Sequence, residues 1–163
     1  MITQRLNADG RHMGSDSTQD TLDHIDKVRK RILSIVGNLV ARSDVHDLSK
    51  LSEPEKSAFD ILTPKLKSLT YGSEEYRACL RELKPALDHH YAKNSHHPEF
   101  YVEGVSGMSL MDLIEMISDW KAAGERHDPP NSILDSIEKN TSRFNLSPDL
   151  KQILLNTVRE LGW

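Results

Sequence analysis

The chain has a single cysteine, so it can form neither an intrachain disulfide nor a zinc site built on several thiolates. It has no apolar run near the ~20 residues that span a bilayer. The longest candidate, residues 32–41, is interrupted by Ser34, Gly37 and Asn38. It lacks a basic excess: 21 Lys plus Arg against 25 Asp plus Glu give a net charge of −4, which argues against an electrostatic nucleic-acid binder. Strand-like alternation is missing apart from a short extended piece conceivable at residues 100–105, and there are no repeats. The polar start, residues 1–20, has no signal-peptide core, so the expected compartment is the cytoplasm.

What is there is ordinary in bulk. The 163 residues are 37 % hydrophobic and 28 % charged, enough to bury one sizeable core without a staple. Residues 1–19 read as a flexible lead, and residues 20–163 as one domain. Leu22, Ile25, Val28, Ile32, Ile35, Val36 and Leu39 recur at three- and four-residue steps, which predicts an amphipathic helix over 20–42. A second helix is predicted from Asp44. Ser52-Glu53-Pro54-Glu55 reads as a cap, an early Pro and a capping-box Glu, opening a helix to about Leu69 in which Pro64 is a kink point.

Ser73 caps a helix over 74–91, with the stripe Tyr76, Leu80, Leu83 and Leu87. Residues 94–107 are a loop. Ser109 and Asp112 form a capping box for a helix over 110–123. After Asp128-Pro129-Pro130, two more helices follow, over 132–144 and 148–161. The fold class is all-α, a compact bundle of five to seven helices.

Histidine is the abundant oddity, with eight copies. Six fall into an ordered set with two aspartates: His24, His46-Asp47, His89-His90, His96-His97, Asp119. Residues eleven apart on a helix differ by only ~20° of rotation. His24 therefore shares the face of Val28 and Ile35. His90 continues the stripe that ends at Leu87, while His89 lies ~100° off it. Asp119 flanks Ile117 and Trp120.

Imidazoles and carboxylates aimed at a core are costly unless paired or metal-bound. Without thiolates, such a set suits Mn, Fe, Co, Ni or Zn. Each residue also has a plainer reading. His24 alone fits a hydrogen-bonded core histidine, Asp47 a cap, and Asp119 a surface pair with Lys121 or Arg126. His96 and His97 read equally as solvated loop side chains or as contacts to a bound group. Trp120 reads as core before it reads as a platform for a base.

The order His…His-Asp…His-His…Asp resembles the HD-domain superfamily of metal-dependent phosphohydrolases. His46-Asp47-Leu48-Ser49-Lys50 is similar to the His-Asp-Ile-Gly-Lys motif of its HD-GYP branch. The 29 residues from His90 to Asp119 are like the separation found there. The stretch from His89 to Glu99 is also similar to a small HD-like family of bacteria and their phages. The branch's His-His-Glu is His89-His90-Tyr91 here and its Gly-Tyr-Pro triplet is absent, so hydrolysis of cyclic-di-GMP is not implied.

The resemblance covers residues 20–125 and implies an HD-like helical fold. It implies His24, His46, Asp47 and Asp119 as metal ligands, with His89 and His90 as the extra ligands of two-metal members and Asp47 as the bridge. Asp47 and Lys50 would be the catalytic residues. Lys50 would contact substrate; His96 and His97, with no secure counterpart in the family, are read as substrate contacts or further ligands.

One or two divalent transition-metal ions would be the cofactor. The substrate would be a small phosphoester, most plausibly a nucleotide, with no membrane or nucleic-acid partner and a homodimer left open. Two alternatives stand beside the hydrolase: an HD-like di-iron oxygenase, and a degenerate, non-catalytic HD module that binds a nucleotide or a protein partner.

Overall fold

The computed structural model describes residues 16–70, 73–126 and 130–163. His12, His127 and most of the expected N-terminal lead lie outside the described residues. The described residues form six α-helices: α1 Thr18–Val45, α2 Glu55–Ser68, α3 Glu74–Lys93, α4 Leu110–Gly124, α5 Ile133–Phe144 and α6 Pro148–Glu160. Short 3₁₀ helices occupy Leu48–Leu51, Pro98–Phe100 and Gly104–Gly107. No strand occurs among the described residues, and the all-α class stands. No helix among them is long and apolar enough to cross a membrane.

Serine hydroxyls start most of these helices by satisfying otherwise orphaned backbone N–H groups. Ser73 Oγ accepts from Tyr76 N, Ser132 Oγ from Leu134 N, and Ser147 Oγ from Leu150 N with Pro148 at the first turn. Ser109 and Asp112 form the expected reciprocal capping box.

Two expectations are corrected. No helix starts at Asp44, because α1 runs on to Val45; the break comes at Asp47, in the left-handed region at φ 58°. The predicted box at Ser52 does not form either. α2 begins at Glu55 with no side-chain cap, and Glu55 is turned inward with none of its surface accessible. α2 continues past Pro64.

The chain divides into two compact units, residues 1–41 and 42–163, where the sequence reading places 20–163 in one domain. The first unit is described from Asp16 and consists of α1 without its last turn; α1 has no buried residue. The second unit holds two apolar clusters. One joins Met116 and Ile117 of α4 to Ile133, Ile137, Leu146, Leu154 and Val158, with Trp120 packed against it and stacked on Phe144 at 6.3 Å. Trp120 is thus core. The other joins Leu62 of α2 to Cys79, Leu83 and Ala86 of α3, with Phe59 alongside. The buried polar residues are Glu55, His90, His96 and Asp112.

Candidate metal centre

Four pieces of the second unit meet at one point. The turn after α1 supplies His46 and Asp47. α3 supplies His90, the loop after it supplies His96 and His97, and α4 supplies Glu115 and Asp119. The left-handed backbone at Asp47 is uncommon for a non-glycine residue, though aspartate tolerates it better than most. It places the carboxylate among the histidines. Gly107 keeps the loop tight: a Cβ there would lie 2.8 Å from Tyr101 Cβ.

Asp47 Oδ1 lies 3.2 Å from His90 Nε2 and 3.5 Å from His96 Nε2. Neither contact is aligned as a hydrogen bond, so buried Asp47 Oδ1 and His96 Nε2 have no hydrogen-bond partner. Asp47 Oδ2 is 3.5 Å from His46 Nε2 and 2.6 Å from Lys50 Nζ. His46 Nε2 is 3.8 Å from Asp119 Oδ1, and the Nε2 atoms of His90 and His97 approach to 2.9 Å. Three groups of donor atoms lie within 4.8 Å of one another: Asp47, His90, His96 and His97; His46, Asp47 and Asp119; and His46, His96 and Glu115. Asp47 belongs to the first two and could bridge them.

Behind the imidazoles stand two carboxylates. Glu115 Oε1 accepts from His46 Nδ1 at 2.9 Å and lies 3.1 Å from His96 Nδ1. Glu115 Oε2 accepts from Arg42 Nε at 2.7 Å. Arg42 also donates from Nη2 to Asp112 Oδ1 at 2.5 Å and to Ser95 Oγ at 3.1 Å. Glu55 receives His90 Nδ1 at 2.9 Å, His89 Nδ1 at 2.8 Å and the Ser49 hydroxyl at 3.0 Å. Asn94 Nδ2 donates to the His90 carbonyl at 2.7 Å, fixing the end of α3.

A carboxylate only accepts, so each Nδ1 it faces carries the proton. The Nε2 atoms of His46, His90 and His96 are thereby turned to the Asp47 side. Holding a ligand histidine by its far nitrogen is how proteins orient imidazoles at metal sites.

The electrostatics follow from this crowding. The Asp119 carboxylate 3.8 Å away, working against burial and aided by Glu115 and Asp47, lifts the His46 pKa to about 9. Burial, with His96 and His90 close by, pushes His97 down to about 3. Burial opposes ionisation of Asp47, yet His90, Lys50 and His46 outweigh it and hold its carboxyl well below the usual range. Asp119 is also lowered, its burial outweighed by the nearby His46 imidazole.

The structure brings together His46, Asp47, His90 and Asp119 from the set expected as ligands. His96 and His97, read as substrate contacts or further ligands, stand among the candidate ligand atoms: the 3₁₀ turn at Pro98 folds the loop back, and His96 is 2 % exposed. His89 is not in any of the donor groups; it is rotated off the buried face of α3, as its ~100° offset requires, and bonds Glu55. His24 is exposed on α1 in the first unit and is in none of the groups either. It does share an apolar helix face, but that face buries no residue. Lys50 is at the rim, on Asp47, with its ammonium 5.5 Å over the Phe59 ring.

Sequence reasoning missed Glu115, Glu55 and Arg42. Glu115 had a signal, since it shares the helix face of Asp112 and Asp119.

Three or four nitrogen and oxygen donors, two of them buried without a partner, fit a divalent transition metal of the Mn-to-Zn series. No curated protein and no solved structure matches the chain. Residues 13–160, nearly its whole length, match a family of unknown function (DUF5662), and the chain belongs to that family.

Proposed function

We propose that the chain is an HD-type metal-dependent phosphohydrolase, a phosphomonoesterase or phosphodiesterase. Its substrate is a nucleotide or related small phosphoester, and it acts in the cytoplasm. The observation that carries the reading is the inward-facing set around Asp47, with Asp47 Oδ1 and His96 Nε2 buried and unpartnered. A buried polar atom left bare costs on the order of 1–3 kcal/mol, so an ion that engages both is favoured by that amount. The resemblance of His46-Asp47-Leu48-Ser49-Lys50 to the HD-GYP motif supports hydrolysis as the chemistry.

Asp47, His90, His96 and His97 would hold one ion, and His46, Asp47 and Asp119 a second. When bound, such an ion would lower the pKa of a water and polarise a phosphoryl oxygen. The protein's own residues do the rest. Glu115 and Glu55 hold the Nδ1 protons, so the Nε2 atoms are the ones turned to ligate. Burial keeps His97 neutral. Lys50 leaves Asp47 for the phosphoryl oxygens and offsets the charge that builds there as water attacks phosphorus and the ester oxygen departs with a proton.

The test is phosphate release from a nucleotide panel with Mn²⁺ or Co²⁺, alongside metal content. Release that depends on metal is expected. Two irons with oxygen consumption would move the chain to the oxygenase reading. Bound nucleotide without turnover, under every metal tried, would leave the non-catalytic module.

A further inference from the structure

We infer that α1 is the contact surface between two copies of this chain. Leu22, Ile25, Val28, Ile32, Ile35 and Val36, with Leu33 at the edge, are 41 % to 57 % exposed. At 100° per residue they fall within an arc of ~160°, wider than the ~100° a core-facing helix needs. The opposite side is polar and already satisfied within the helix. Lys30 pairs with Asp26 at 2.6 Å, and Gln19 bonds Asp23 at 2.8 Å.

Three observations identify the occupant. Ile25, Val28, Ile32, Ile35 and Leu39 follow each other at steps of three, four, three and four, the a/d register that seats another helix knobs-into-holes. The exposed half of an aliphatic residue is on the order of 80 Å², so the seven present roughly 550 Å² per copy. The aliphatic stem of Arg29, on the same arc, adds to this. Two such faces approach the ~1,200 Å² total at which specific, stable interfaces begin.

Finally, α1 contains no aromatic residue, and Asp20, Asp23 and Asp26 are mixed with Lys27, Arg29, Lys30 and Arg31. A helix lying on anionic lipid is instead rich in Lys and Arg on its polar face, with Trp or Phe on the other. A second α1 meets all three conditions and gives a closed two-fold contact.

The experiment is sedimentation velocity on the full chain at micromolar concentration. The wild type is expected at twice the 18.5 kDa of one chain. Ile25→Glu with Ile32→Glu should sediment as a monomer while the helical circular-dichroism signal and the metal content persist. Lys30→Glu, on the polar side, should remain a dimer.

Ile32→Cys should form a disulfide-linked dimer on oxidation; the only native cysteine, Cys79, is buried. This second readout does not depend on the glutamate variants folding. A monomeric wild type overturns the inference, as does a dimer that survives both glutamates. So does a sedimenting dimer that Ile32→Cys fails to cross-link, or a monomer that co-sediments with phosphatidylserine vesicles.

Discussion

Replacing Glu115 by glutamine keeps the shape of the side chain and removes its charge. Glu115 accepts from His46 Nδ1 and Arg42 Nε through its two oxygens, and His96 Nδ1 lies 3.1 Å from Oε1. Glutamine offers one oxygen, so at least one donor faces an N–H. Leaving a part-buried donor unsatisfied costs about 1–3 kcal/mol. Losing a partner that orients a ligand histidine costs about 10–100-fold in metal affinity.

Two imidazoles hang on this one carboxylate, which puts Glu115→Gln at the upper end. About 100-fold corresponds to about 2.7 kcal/mol. Competition against a chromophoric chelator for Zn²⁺ or Mn²⁺ measures it, with circular dichroism to confirm the fold. Glu138→Gln is the control, since Glu138 is exposed and pairs with Lys151 away from the donor groups. An unchanged metal affinity in Glu115→Gln would show that the carboxylate does not orient the histidines, and the account of the inner donors would fail with it.

Metal binding should be coupled to protons. The His46 pKa is raised to about 9, so in the metal-free chain at pH 7 it is protonated and must give up a proton to ligate. Apparent affinity should climb up to about tenfold per pH unit toward pH 9, and calorimetry in buffers of different ionisation enthalpy should detect the released proton. The same raised pKa means that His46 stabilises the metal-free fold fully below its unfolded value of about 6.5, a contribution lost as pH rises through about 9. An affinity flat across that window would contradict the assignment.

Lys50→Ala should leave metal content intact and slow turnover by about 100-fold or more, as loss of one charge-stabilising donor does; unchanged kinetics would remove Lys50 from the reaction. Ile137 is wholly buried between α4 and α6, so Ile137→Ala should cost about 2–5 kcal/mol in denaturant unfolding. A loss well below that would mean the cluster around Met116 and Val158 is not the core described.

The parts of the fold legible in the sequence are those with local causes. Ser73, Ser109 and Ser147 were readable because a cap acts within three residues of itself. Glu55 misled for the same reason: Ser52-Glu53-Pro54-Glu55 has the local form of a cap, and only partners 34 and 35 residues away turn it inward.

In the site, His90 could be placed because it extends an apolar stripe. His96 and His97 could not, because a loop has no period and their direction is set by the turn at Pro98. Glu115 shares the helix face of Asp112 and Asp119, but its meaning depends on Arg42, 73 residues away. His24 shows the converse. Periodicity names a helix face correctly without saying what covers it.

The central claim is that Asp47 stands at the heart of a metal centre. Elemental analysis of the purified, metal-reconstituted chain beside Asp47→Ala tests it most directly. The account predicts one or two divalent ions per wild-type chain and their loss in Asp47→Ala, with helicity unchanged. Equal metal content in the two proteins, or none in the wild type, would contradict it.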